Sequence, residues 1–180
     1  MLKLKYALKY GSIAAAIMIS SWLISSMLFV PDEGEFYDFE NLEFLGYAAM
    51  ILALIAVVLA IKNYRDKQLY GIISFKEAFL IGLQVVLVAS VIYVIGWMIY
   101  FPNFMADFPE RYSTYQMNQY EASGLSPTEL AVKKEEMEYW VELYHNPLAV
   151  AGFTFLEIFP IGFIVSLISA LILKKQSVKK

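Results

Sequence analysis

Apolar residues along this chain neither alternate nor fall in short stripes. They arrive in four long blocks, at about residues 10–30, 42–61, 76–101 and 148–173, divided by polar segments. Crossing a bilayer as a helix takes about 20 apolar residues, and each block is long enough. No lysine or arginine interrupts the apolar runs themselves, the third of which begins at Ala78, after Lys76 and Glu77. A β-barrel would show strands of about ten residues with alternating polarity, and that pattern is absent. The blocks therefore predict an all-α fold: a four-helix transmembrane bundle, a single membrane domain over residues 1–180. The first run is longer than the apolar core of a signal peptide, about 7–15 residues, and no small-x-small cleavage site precedes "VPDEGE", so it reads as an uncleaved first helix.

The segment between the third and fourth blocks, about residues 103–146, has a different period. Phe104, Phe108, Tyr112 and Tyr115 recur at helical spacing, and Leu130, Met137, Trp140 and Tyr144 continue an apolar stripe after a break at Gly124. "SPTE", Ser126 to Glu129, is a capping box with proline at the first helical position. These signals predict a helical hairpin with one aromatic face, which is either the hairpin's own core, a membrane-surface face, or a docking face for a partner formed by Phe108, Tyr112, Tyr115 and Trp140. "SFKE", Ser74 to Glu77, is a second capping box that starts the third helix, and Pro102 is expected to end it.

Charge adds orientation. Lys3, Lys5 and Lys9 precede the first block, Lys62, Arg65, Lys67 and Lys76 separate the second and third, and Lys174, Lys175, Lys179 and Lys180 follow the fourth. Only Arg111, Lys133 and Lys134 lie on the other side. Basic loops stay cytoplasmic, so both termini are expected there and the hairpin outside. The first external loop is acidic, with Asp32, Glu33, Glu35, Asp38 and Glu40, and it lacks the regular spacing of a calcium loop.

Composition then removes function classes. The chain is 59% hydrophobic and 17% charged, against about 45–50% apolar in soluble domains. With no cysteine, disulfides, thiolate chemistry and Cys-based metal sites are excluded. The single histidine, His145, reads as a helix-end residue, so no metal site and no cofactor are expected. A net charge of −3 does not suggest a nucleic-acid partner. No phosphate-binding glycine loop, nucleophile elbow, zinc helix or intramembrane-protease pair appears, and no enzyme activity is expected.

One stretch stands out: "FTFLEIFPIGFIV", in which an acid, Glu157, lies three residues before Pro160 inside the fourth block. An acid within a membrane span costs roughly 2.5–3.5 kcal/mol on insertion scales and normally faces the bundle or a wet cavity. Desolvation favours its neutral form. Counting inward from the helix ends places Ser21, Ser25, Tyr47, Tyr93 and Trp97 at its depth, with Tyr93 the first choice of partner. Pro160 cannot donate to the carbonyl of Leu156, which leaves an acceptor free beside the acid. Glu157, Pro160 and Tyr93 are the candidate polar site. It serves either as a proton or cation site of a transporter or channel subunit, or as a structural clamp between two helices. Gln84 is expected to bond between helices.

Rows of small residues, Ala49, Ala53, Ala56 and Ala60, then Gly162, Ser166 and Ala170, then Ser12, Ala16 and Ser20, would let helices approach closely. They suit packing within the bundle, with a homodimer as the alternative. The candidate partners are thus the lipid bilayer, a membrane or periplasmic protein, and a second copy of the chain.

The runs "IKNYRD", "GIISFKEAF", "VIYVIGWMIYF" and "YHNPLAVAGFTFLEIFPIGFIVSLISALILKK" together resemble the bacterial domain-of-unknown-function family numbered 4199, and the order of segments matches from end to end. The resemblance implies a small four-span protein of the bacterial inner membrane with a helical loop between spans three and four. It implies no activity and supplies no functional residues. The best reading is an integral multi-pass membrane protein that binds a partner or plays a structural part.

Overall fold

The computed structural model describes residues 2–29 and 38–175. Six helices follow in chain order: α1 (Leu2–Phe29), α2 (Phe39–Gln68), α3 (Phe75–Phe104), α4 (Phe108–Ala122), α5 (Pro127–Tyr144) and α6 (Pro147–Leu173). No strand forms among the described residues. A single backbone bridge pairs Ile73 with Lys175. Four of the helices, α1, α2, α3 and α6, are long and apolar enough to cross a membrane. They overrun the apolar blocks because block length counts oil alone. At about 1.5 Å per residue, the 30 residues of α2 and of α3 exceed a hydrocarbon core of about 30 Å. The extra turns carry lysines, arginine and acids into the polar zone.

The four long helices form a ring in which α1 packs on α2 and α3, and α6 packs on α3 and α2. The α4–α5 hairpin leans on α6 at the end opposite the termini. Layers stack along the ring. Nearest the termini, Ala7, Ala60, Ile61, Ile81, Val85 and Ala170 form a fully buried layer. A middle layer joins Ala14, Met18, Ala53, Ala89 and Ile158. At the hairpin end Phe39, Tyr100 and Met105 close a third.

Small residues set the helix spacing. A Cβ added at Gly162 would lie 2.5 Å from Val86 Cγ1, and one at Gly11 would lie 2.7 Å from the Val88 side chain and 2.9 Å from the Val85 carbonyl. The Ala49–Ala53–Ala56–Ala60 and Gly162–Ser166–Ala170 rows are buried as expected. The row on α1 is not: Ser12, Ala16 and Ser20 face outward, and the buried face runs through Ala7, Gly11, Ala14, Ala15 and Met18. Two registers of small residues compete on α1. The aromatic and hydroxyl partners decide between them, because Tyr6 and Tyr10 on the chosen face accept hydrogen bonds from Gln68 (3.2 Å) and Asn63 (2.8 Å).

Boundaries follow side-chain chemistry. Ser126 accepts from the Glu129 amide, and the Glu129 carboxylate accepts from the Ser126 amide at 2.9 Å, a complete capping box. At Ser74 only half the box forms. Its hydroxyl accepts from the Glu77 amide (3.2 Å), but the Glu77 carboxylate turns to Lys3 Nζ at 2.7 Å, since an ion pair satisfies it better than a neutral amide. Gly124, with φ +76°, follows the last turn of α4 as anticipated. Pro102 does not stop α3, which continues to Phe104. Pro102 falls in the last turn, where its missing N–H costs one bond, to the Met98 carbonyl; in the same turn the Asn103 side-chain amide donates to the Ile99 carbonyl at 2.6 Å and the Met105 N–H to the Phe101 carbonyl at 2.9 Å. Asp32, Glu33 and Glu35 lie outside the described residues. Asp38 caps α2 by accepting from the Asn41 amide at 3.2 Å.

Candidate functional site

Between the middle layer and the hairpin, the four long helices enclose a cavity of about 610 Å³. Its wall begins with α6. Val150, Thr154, Ile158, Gly162 and Ser166 recur every four residues and bury one stripe of that helix. Glu157 flanks this stripe, one residue before Ile158, and its carboxylate opens into the cavity. Among the described residues it forms no hydrogen bond and no ion pair.

α1 and α3 supply the opposite wall. The Trp22 indole N–H donates to the Tyr93 hydroxyl at 3.1 Å, and the Tyr100 hydroxyl donates to the Trp22 carbonyl at 3.4 Å. The indole packs at a tilt against Tyr93 and Trp97, with ring centroids 4.4 and 5.0 Å away. Gly96 makes room for it, since a Cβ there would sit 3.2 Å from the Trp22 ring. Ser21 and Ser25 on α1 and Tyr47 on α2 complete this level, so every residue counted to the depth of Glu157 lines the same cavity.

The hairpin forms the roof. Tyr115, Tyr112 and Phe108 pack on Phe39 at 4.8, 5.5 and 5.8 Å between ring centroids. Trp140 packs on Phe153 at 5.0 Å, and Tyr144 reaches both Phe153 and Phe101 at 6.1 and 5.8 Å. The aromatic residues offered as a docking surface thus meet partners within the chain, while Tyr112 and Trp140 also stay exposed on its outside. Phe108, Tyr112 and Trp140 line the cavity, and Tyr115 is spent on Phe39. The physical reason is the phenylalanine at the start of α2, a partner for the stripe within the chain itself. Phe104 belongs to α3, where it stacks on Tyr100 at 5.1 Å and stays exposed.

Electrostatics on the roof favour neutral tyrosines. Burial pushes the Tyr112 hydroxyl above its ordinary value, against the opposing effect of a 2.8 Å hydrogen bond from Gln116. Burial raises Tyr144 too, with the nearby Glu157 charge adding to it. Both remain uncharged at neutral pH.

The structure brings Glu157 and Tyr93 together and leaves Pro160 off the wall, exposed on the flank of α6, which stays helical through it. Gln84 makes no interhelical bond; its amide oxygen is buried without a partner, as is the Ser90 hydroxyl. His145 caps α5 and lies 3.7 Å from Glu110. Among the described residues no group of three metal-ligating side chains assembles. Sequence reasoning missed Trp22, Phe39 and Glu43. The signal for Glu43 was its place at the edge of the second apolar block, where it is a second acid close to membrane depth. Phe39 carried no signal, since it lies in the acidic segment before that block.

These features define an all-helical protein in which four helices can cross a membrane and a hairpin roofs an aromatic cavity. The chain belongs to the family described as Protein of unknown function (DUF4199), whose model matches residues 9–175. No curated protein and no solved structure matches it.

Proposed function

We propose that this chain is a multi-pass protein of the bacterial inner membrane with both termini cytoplasmic. It has no reaction of its own and works as a binding protein, receiving its partner in the cavity beneath an external hairpin. The carrying observation is Glu157. It faces open space and holds no other described residue, so a clamp between helices leaves its carboxylate unexplained, whereas a bound guest explains it. The orientation is supported by the basic residues gathered at the termini end, where Lys3 pairs with Glu77 and Arg65 donates to the Leu173 carbonyl at 3.2 Å.

The chain has no cysteine, so single cysteines test this directly. In intact cells a membrane-impermeant maleimide should label Ser113→Cys and Tyr47→Cys and leave Gln68→Cys untouched until the cells are opened. Labelling of Gln68→Cys alone would reverse the topology. An inert Tyr47→Cys beside a reactive Ser113→Cys would mean the cavity is closed to water and would end the binding reading.

A second reading, a transporter or channel subunit using Glu157, draws on the same carboxylate. The packed layer of Met18, Ala53, Ala89 and Ile158 beneath it favours a site with one mouth over a conducting path. Proton or cation flux in proteoliposomes that disappears in Glu157→Gln at constant folded fraction would establish that reading.

A further inference from the structure

We propose that the cavity's occupant is an organic ammonium, held by indole faces and the Glu157 carboxylate; this rests on the binding reading above and narrows it to a chemical class. The chain has three tryptophans, and all three, Trp22, Trp97 and Trp140, line this one cavity. Tyr93 and Tyr144 stand beside them. Among the described residues the only ionisable acids on the wall are Glu43 and Glu157, and no described lysine, arginine or histidine lines it.

Each part of that inventory removes a class of guest. Aromatic faces carry negative charge density and attract a cation lying within about 6 Å of the ring centroid, tryptophan most strongly. Together with two carboxylates they set one sign of potential over the whole wall, and an anion would find no basic partner there. A bare calcium or magnesium ion needs six or more oxygen ligands, which ring faces cannot replace, and no metal-ligating group of three assembles among the described residues. A wholly apolar guest would cover the Glu157 carboxylate and offer it no partner. An alkylated ammonium meets every condition, because its carbon substituents lie against rings while its charge stays near a carboxylate. The volume of about 610 Å³ falls within the roughly 300–1,000 Å³ of small-molecule sites.

The ammonium could come from a free organic cation or from a zwitterionic lipid headgroup, and the experiment separates them. The full chain is placed in nanodiscs of phosphatidylglycerol, which has no ammonium, and titrated with benzyltrimethylammonium while tryptophan emission is recorded. Every tryptophan faces the cavity, so the whole signal reports on it. A saturable change is expected, absent with the neutral isostere neopentylbenzene, and weakened at least tenfold in Glu157→Gln. Trp140→Phe, which keeps a ring on Phe153, should weaken binding less and serves if the glutamine variant misfolds. In phosphatidylcholine nanodiscs, loss of apparent affinity assigns the site to a lipid headgroup, and unchanged affinity assigns it to a free cation. Equal responses to the ammonium and its isostere would overturn the ammonium class and leave the cavity a binding site. No response to either in folded protein whose Tyr47→Cys variant reacts with maleimide overturns the ammonium class alone, whereas an inert Tyr47→Cys overturns the binding reading as well.

Discussion

Trp22 ties three features of the site together: its N–H fixes the Tyr93 hydroxyl at 3.1 Å, its carbonyl receives Tyr100, and its ring fills the space left by Gly96. Trp22→Phe keeps a ring but deletes the donor, and a hydrogen bond of this kind contributes about 1 kcal/mol. We expect a lower melting temperature in detergent, with Tyr93→Phe adding little once Trp22 is replaced. Independent, additive losses would show that the bond is not formed. Gly162 is a sharper case, since an added methyl would meet Val86 Cγ1 at 2.5 Å and Cγ2 at 2.9 Å. Overpacking of this sort costs about 1–3 kcal/mol. Gly162→Ala should therefore destabilise, Val86→Ala should relieve much of the loss when combined with it, and Gly152→Ala, with nothing within 4 Å of the new atom, should be neutral. A stable Gly162→Ala protein would contradict the α3–α6 approach described above.

At the scale of elements, the hairpin depends on its caps. The Glu129 carboxylate accepts from the Ser126 hydroxyl at 2.7 Å and the Ser126 amide at 2.9 Å, and the hydroxyl bond, followed by the amide bond, holds its pKa below the usual glutamate range. A lowered acid contributes stability that is present above its unfolded pKa, about 4.3, and lost as pH falls through the folded value. Amide exchange at the start of α5 should stay slow at neutral pH and accelerate only under strongly acidic conditions. Ser126→Ala should accelerate it at every pH, and an unchanged exchange pattern in that variant would remove the capping box from the account. Caps such as this were legible because they are local: "SPTE" specifies both partners within four residues. "SFKE" was half legible, because Lys3, which takes the Glu77 carboxylate, lies far away in sequence. The register of α1 was not legible at all, since Ser12–Ala16–Ser20 and the Gly11-containing face are equally small, and only Asn63 and Gln68 on another helix choose between them.

For the whole molecule, run length and antiparallel counting carry far. Four apolar blocks become four long helices, and residues counted to the depth of Glu157 line one cavity. What counting cannot give is the third direction, namely which way the hairpin leans. The aromatic stripe was visible as a stripe, but its target, Phe39, is one of three aromatic residues in the acidic segment "PDEGEFYDFEN", and nothing in the sequence singles it out. A photo-crosslinking side chain at Tyr115 is therefore expected to join α4 to the start of α2 within the same chain, read by mass spectrometry of digested protein. Capture of a second protein from that position, without the internal product, would mean that Tyr115 docks a partner and does not rest on Phe39.

The two ends of the bundle are joined by different kinds of contact, and this has a consequence for what the site tolerates. At the termini end the joints are directional: Gln68 to Tyr6, Asn63 to Tyr10, Arg65 to the Leu173 carbonyl, and the Ile73–Lys175 backbone pair. A hydrogen bond stretched much beyond its usual 2.7–3.2 Å is lost, so this end is fixed in register. At the other end the roof sits on ring contacts 4.8 to 6.1 Å between centroids, and offset rings remain favourable across a range of about 4.5–7 Å. Such rings can slide against each other at little cost. The protein is built like a cup with a stiff foot and a yielding rim, and for the binding role proposed above the rim is the part that would give way to guests of different girth.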